Sequence, residues 1–282
     1  MTGGNGQLGS ELKELAPKYQ QYHFMFTDVE NLDICDHKAV ATFIDENKVS
    51  TIINCAAYTA VDKAEEQFEL ADKINHLAVA NFAQIAKDKN IQLVHISTDY
   101  VFDGTNHKPY TESDKPNPQS VYGKTKLDGE LVMQQINPKN SMIIRTSWVY
   151  SNYGNNFVKT MLRLGIERSE LNVVADQIGT PTNAADLAKA ILTVLPKINN
   201  TNVELFHYSN EGVCSWYDFA KAIFEINGMD IKLNPIESKL YPTPAKRPFY
   251  SVLNKSKIKE SFDLEILHWK TSLLHCVKNQ IV

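Results

Sequence analysis

Tyr122 and Lys126 stand four residues apart in the segment Ser120-Val121-Tyr122-Gly123-Lys124-Thr125-Lys126. The segment reads as the start of a helix, so the two side chains share one face. An unperturbed phenol titrates near ~10 and a lysine ammonium near ~10.4. A fixed positive charge beside the phenol favours phenolate and brings its proton within reach at neutral pH. The pair is a device for moving a proton to or from an oxygen. Taken alone, the same spacing is at home on any solvated helix face, so the rest of the chain must decide.

The opening residues Thr2-Gly3-Gly4-Asn5-Gly6-Gln7-Leu8-Gly9 carry a second signal. Gly3, Gly6 and Gly9 form a G-x-x-G-x-x-G set ahead of a helical run. Such glycines let the backbone turn tightly and approach a pyrophosphate at the helix N-terminus. A glycine-rich turn by itself is weak evidence. The apolar-rich stretch 22–26 then ends at Thr27-Asp28. Asp28 follows the last glycine by about 20 residues, where a dinucleotide fold places its ribose-binding acid. A turn at a strand end would also use an aspartate; the spacing favours the cofactor role.

The elements that must position these groups alternate along the chain. A helix is expected over 37–47 and a buried parallel strand over 51–57, leaving the sheet through Ala56-Ala57. Helical periodicity runs through 68–89. Residues 92–97 read as another strand, ending in Ser97-Thr98-Asp99-Tyr100. Open α/β sheets bind ligands at the carboxyl ends of their strands, so Thr98 and Asp99 sit where chemistry is expected. A polar, proline-containing loop over 103–119 leads to the Tyr122 helix. The strand 142–145 delivers Trp148, whose ring suits either a core or a ligand face. Helices over 157–168, 184–195 and 216–226 and strands over 171–174 and 205–207 follow. The stretch Tyr241-Pro242-Thr243-Pro244-Ala245-Lys246-Arg247-Pro248 is rigid, extended and basic, suited to a diphosphate or to a solvated loop.

A chain of 282 residues can bury a large core. Its 43% hydrophobic and 22% charged residues describe an ordinary soluble globular protein. The net charge of −4 gives no reason to expect nucleic acid or an anionic membrane surface as partner. No apolar run is long enough to span a bilayer and no signal peptide opens the chain, so a cytoplasmic location is expected. Cys35, Cys55, Cys214 and Cys276 lack CxxC spacing and read as reduced, partly buried thiols.

Taken together, these segments resemble an extended short-chain dehydrogenase/reductase, and within that superfamily the dTDP-4-dehydrorhamnose reductase family. The matching stretches are Gly6-Gln7-Leu8-Gly9, residues 55–65, Ser97-Thr98-Asp99-Tyr100-Val101-Phe102, Tyr122 to Lys126, Arg145-Thr146-Ser147-Trp148-Val149-Tyr150, Gly154-Asn155-Asn156-Phe157, residues 176–182 and residues 241–248. They cover nearly the whole chain, and the Ser-Thr-Asp-Tyr-Val-Phe and Arg-Thr-Ser-Trp stretches are the more specific ones.

The resemblance implies an α/β fold with a Rossmann-type doubly wound parallel sheet. Residues 1–150 would form mainly the NAD(P)-binding domain and 151–282 mainly a smaller substrate-binding region, with some segments returning to the sheet. It implies NADPH or NADH as cofactor and a dTDP-linked keto-sugar as substrate, with no nucleic acid or membrane. Tyr122 would donate a proton to the forming C4 oxygen, Thr98 would hold that oxygen, and Lys126 would bond the nicotinamide ribose and lower the Tyr122 pKa. Gly3, Asn5, Gly6, Gln7, Leu8 and Gly9 would meet the pyrophosphate. Asp28, Asp33 and Ile34 would flank the adenosine, and Ala56, Ala57, Tyr58 and Thr59 the cofactor's middle. Val61, Asp99, Trp148 and Arg247 would fall on the substrate side.

Two other readings compete: a different nucleotide-sugar reductase or epimerase, and a regulatory subunit that binds cofactor without turnover. The second predicts a broken catalytic set, whereas Thr98, Tyr122 and Lys126 are all present. Some members of the family pair through magnesium held by glutamates. Glu11 matches one such position, but Ala185 occupies another and Ile281-Val282 lacks the third. A monomer or weak homodimer without magnesium is therefore expected. Only Met1-Thr2 precede Gly3, so the first strand is expected to be truncated, leaving backbone groups unpaired on both neighbours.

Overall fold

The computed structural model describes residues 1–278. Strands β1 (Thr51–Asn54), β2 (Gln92–Thr98), β3 (Ser141–Thr146) and a fourth, Glu204–His207, lie side by side in that order, all parallel. Side chains alternate across a strand, so one sheet feeds two cores. Ile53, Val94, Met142 and Ile144 pack against Leu8 and Leu12 of helix α1 (Gln7–Leu15) and against Leu187 and Ile191. Ile52, Leu93 and Ile143 pack on the opposite face against Val40, Ile44, Val79 and Phe82. Parallel strands need crossovers, and helices on both faces explain why these strands read as continuous apolar runs. This is the expected doubly wound α/β arrangement.

A third core gathers Tyr150, Met161, Leu171, Phe219, Ile223 and Trp269. Here Glu170–Val174 pairs in parallel with Lys232–Ile236. Nothing in the sequence marks the second of these strands, because Pro235 cannot donate to a ladder and its apolar residues are few. The fourth strand of the main sheet, Glu204–His207, and the helix Ala184–Val194 return from the second half of the chain to the first core.

Two local features hold the Tyr122 helix, Val121–Ile136, in place. Ser120 caps it, its hydroxyl oxygen accepting from the Gly123 amide at 3.2 Å. Gly123 lies so close to the end of β2 that a Cβ there would sit 2.2 Å from the Tyr100 carbonyl oxygen. The expected single helix over 68–89 is instead Phe68–Asp72, a π-helical stretch Lys73–Leu77, and Ala78–Lys89. The widened turn carries buried Asn75, which accepts from the Tyr58 amide at 2.9 Å and donates to Thr125 Oγ1 at 3.2 Å. Helical periodicity does not reveal such a bulge, since it arises from a partner outside the helix.

Thr2 forms an isolated parallel bridge with Asn54. The Thr2 amide donates to the Ile53 carbonyl at 3.1 Å, and the Thr27 amide donates to the Met1 carbonyl at 2.8 Å. Met1-Thr2 thus lies between β1 and the stretch 25–27. Next to it runs a groove of about 250 Å³, lined by Tyr22, Phe24, Ile52 and Phe82 among others.

Candidate active site

A cavity of about 1010 Å³ opens over the carboxyl ends of β1, β2 and β3. That is at the upper end of what small-molecule sites need, room for a cofactor and a substrate together. The glycine turn forms one wall. Gly3 has φ +64, and a Cβ on it would lie 2.8 Å from the Ala56 amide nitrogen. Only glycine fits there, because the left-handed backbone and the close strand end both exclude a side chain. Gly6 caps α1 without any side-chain hydrogen bond to the first turn. The amides at that helix start are therefore open to an anion. Asp28 braces the turn: Oδ2 accepts from the Asn5 amide and Oδ1 from the Val29 amide, each at 2.8 Å.

Gly3, Asn5, Gly6, Gln7, Leu8, Asp28, Asp33, Ile34, Ala56, Ala57, Thr59, Val61, Thr98, Asp99, Tyr122, Lys126 and Trp148 all line this cavity. Gly9, Tyr58 and Arg247 do not. Gly9 serves packing, since a Cβ on it would lie 2.2 Å from the Gly3 carbonyl oxygen. Tyr58 turns away and donates from its hydroxyl to Gln67 Oε1 at 2.8 Å. Arg247 is held by Asp62. Cys55, Lys73, Ser147, Gly154 and Asn155 join the lining without having been singled out. For Cys55, Ser147, Gly154 and Asn155 the signal was present, as they stand in stretches that carry the resemblance.

The charge pattern corrects one expectation. Lys126 does not lower the Tyr122 pKa here: burial pushes the phenol up to about 12, against the pull of the Thr98 hydroxyl. Lys126 is itself 1% exposed, and burial draws it down to about 8, with Glu130 and Cys55 opposing. Its Nζ donates to the Ile96 carbonyl at 2.6 Å and meets His95 Nε2 at 3.3 Å. Desolvation outweighs the charge of a neighbour that is turned to other partners. The phenol is protonated at neutral pH, as an ordinary tyrosine also would be, which is what a proton donor requires.

Thr98 ends β2 with its hydroxyl donating to Asp99 Oδ1 at 3.1 Å. Burial pushes the Asp99 carboxyl up to about 6, and its Oδ2 has no partner. Gln7 Oε1 is likewise buried and unpartnered. Trp148 adopts φ +49 and stacks on Trp216, with ring centroids 3.6 Å apart. One face of its ring is thereby taken, while Trp148 still lines the cavity.

Known proteins match this chain along nearly its whole length. The family model described as RmlD substrate binding domain matches residues 1–281. A dTDP-4-dehydrorhamnose reductase of Sinorhizobium fredii is 42% identical over 280 residues, 96% of this chain and 94% of that protein. The crystal structure of a dTDP-4-dehydrorhamnose reductase from Clostridium acetobutylicum superposes with a TM-score of 0.94 at 47% identity, covering 100% of this chain and 98% of that one. A Bacillus anthracis dTDP-4-dehydrorhamnose reductase solved in complex with NADP gives 0.93 at 39% identity, over 99% and 97% of the two chains. The chain belongs to the dTDP-4-dehydrorhamnose reductase family, NAD(P)-dependent oxidoreductases with the extended short-chain dehydrogenase/reductase fold.

Proposed function

We propose that the protein reduces the C4 keto group of dTDP-4-dehydro-6-deoxy-L-mannose to the alcohol, giving dTDP-L-rhamnose, with NADPH or NADH as reductant. The observation that carries this reading is the gathering of Thr98, Tyr122 and Lys126 in the same cavity as the Gly3–Leu8 turn. The residues fit a dinucleotide: an uncapped helix start for the pyrophosphate, a close-approach glycine at Gly3, and Asp28 at one end. The bound nicotinamide supplies hydride to C4.

The chain supplies the rest. As negative charge grows on the C4 oxygen, Tyr122 gives up its phenolic proton to that oxygen. The Thr98 hydroxyl turns from Asp99 to donate to the same atom. Donors already aimed at one oxygen stabilise the transition state more than the ground state. Lys126 bonds the nicotinamide ribose. Val61, Asp99 and Trp148 border the sugar in this reading. Arg247 reaches the nucleotide diphosphate by releasing Asp62.

Residues 1–150 form mainly the cofactor domain in this reading, and the later residues mainly the sugar side, with positions 279–282 outside the described residues. A monomer or weak homodimer in the cytoplasm completes it. Glu11 supports the absence of a metal-bridged pair, because its carboxylate is buried and accepts from Ser151 Oγ at 2.6 Å. Of the other expected ligand positions, Ala185 offers no oxygen side chain, and Ile281-Val282 lies outside the described residues. The test is NADPH oxidation with the keto-sugar nucleotide and chromatographic identification of the product. Formation of dTDP-L-rhamnose supports the proposal. Oxidation with the other C4 epimer as product, or none, refutes it.

A further inference from the structure

His95 lies on β2, fully buried, three residues before Thr98. Each of its ring nitrogens meets one side chain. Nδ1 is 3.1 Å from Asn54 Nδ2, and Nε2 is 3.3 Å from Lys126 Nζ. The orientation of the Asn54 amide follows from its other contacts. Its Oδ1 accepts from the Thr2 hydroxyl at 2.7 Å and from the Ala56 amide at 3.2 Å. Turning the amide over would set its NH₂ against the Ala56 N–H, donor against donor. Asn54 therefore donates to Nδ1, and Nδ1 accepts.

Burial, seconded by Lys126, holds the His95 pKa well below the ordinary histidine value, so the ring is neutral. A neutral imidazole has one N–H and one acceptor nitrogen. With Nδ1 accepting, the proton is on Nε2 and faces Lys126 Nζ. That nitrogen already donates to the Ile96 carbonyl at 2.6 Å. An ammonium has three donors and no lone pair, so the Nε2–H meets it as a second donor. An amine accepts the Nε2–H and still donates to Ile96.

We propose that His95, held by Asn54 in the Nε2–H tautomer, is a positioning residue that decides whether Lys126 carries a proton. The proposal rests on the reading of Lys126 as part of a reductase site. The other groups around Lys126 do not offset the tautomer. Glu130, on the same helix, is engaged by Arg145 at 2.6, 2.9 and 3.2 Å and by the Ser97 hydroxyl. Cys55, beyond β1, is a neutral thiol, pushed by burial up to about 12. Tyr122, on the same helix, is a neutral phenol. A ribose hydroxyl that accepts from Nζ favours the ammonium, so cofactor binding and Lys126 protonation are coupled through this contact.

The tautomer is read directly in the wild-type protein by histidine ¹⁵N NMR, with the ring identified by its contacts to Lys126. The result expected is a protonated Nε2 and a bare Nδ1 from about pH 6 to pH 9. A protonated Nδ1 overturns the proposal. A second measurement uses His95→Gln, whose Oε1 can accept from the ammonium. The pH dependence of kcat/KM for NADPH reports the groups of the cofactor-free enzyme. Its alkaline fall should move up by about one pH unit, with NADPH affinity at neutral pH kept within about threefold. A folded variant whose fall stays at the wild-type pH overturns the proposal; a loss at every pH without a shift shows a merely structural role and does the same. An inactive wild-type protein refutes the proposed function, while the NMR result still decides the tautomer.

Discussion

Arg247 and Asp62 are joined by two hydrogen bonds, Nη1 to Oδ1 at 3.0 Å and Nη2 to Oδ2 at 2.7 Å, across 185 residues of sequence. The Ala245 amide adds a third, to Asp62 Oδ1 at 3.1 Å. The proline-rich stretch 241–248 is thereby pinned beside Val61, at the cavity edge. The pair is partly exposed, with side chains 25% and 39% accessible, so it adds little to stability. In the proposed reading it keeps a planar cation ready for the diphosphate. Arg247→Ala should raise KM for the sugar nucleotide by about tenfold and leave KM for NADPH nearly unchanged. Steady-state kinetics with each substrate varied in turn checks this. An unchanged KM would make the arginine only a tether.

Tyr122→Phe removes the proton donor and little else. A phenol is protonated through neutral pH, so in the proposed reading the tyrosine enters the reaction as an acid. Turnover should fall by about 10²–10⁴-fold, with NADPH affinity measured by fluorescence preserved. Activity near that of the wild type would take Tyr122 out of the mechanism.

Asp99 makes one contribution to stability whose pH dependence has a definite sign. Its folded pKa is raised to about 6 from an ordinary carboxylate value. The contribution to stability is therefore complete below about pH 4 and is lost as pH rises through about 6. Above that, the ionised carboxylate costs on the order of 3 kcal/mol. Asp99→Asn should raise the melting temperature at pH 7.5, and the gain should shrink and vanish as pH falls to about 4. The same variant should lose turnover, since Asp99 borders the sugar in the proposed reading. Thermal melts across pH, paired with activity, test both halves.

The groove beside Met1-Thr2 has an extended backbone on each bank and apolar side chains as its floor. The Met1 ammonium is buried in it, donating to the Met25 carbonyl at 2.7 Å, and burial lowers its pKa. About five apolar residues placed ahead of Met1 should extend the pairing that starts at Thr2 and move this charge to solvent. The melting temperature and the NADPH affinity should both rise. If neither changes, the glycine turn does not depend on the strand that leads into it.

The parts legible in the sequence were those written locally. The i, i+4 spacing placed Tyr122 and Lys126 on one face, the turn 2–9 announced its helix, and apolar runs marked β1, β2 and β3. What escaped was set by contacts between distant residues. Lys126 gave no sign that its nitrogen would rest on Ile96 and His95 instead of serving the phenol. The left-handed backbone of Trp148 depends on Trp216 stacking and on Gly179, where a Cβ would lie 2.7 Å from the indole ring. Arg247 was named for a diphosphate, and its partner Asp62 lay next to the residue singled out, Val61. Pro235 hid a strand that exists only because Glu170–Val174 is there to pair with it.

The most direct test of the reductase reading follows one atom. NADPH carrying deuterium at the transferring position is turned over with dTDP-4-dehydro-6-deoxy-L-mannose, and the product sugar is examined by NMR and mass spectrometry. The account predicts one deuterium per product, located at C4 of dTDP-L-rhamnose, and almost none formed by Tyr122→Phe. Deuterium at another carbon, or reduction by that variant at the wild-type rate, would contradict it.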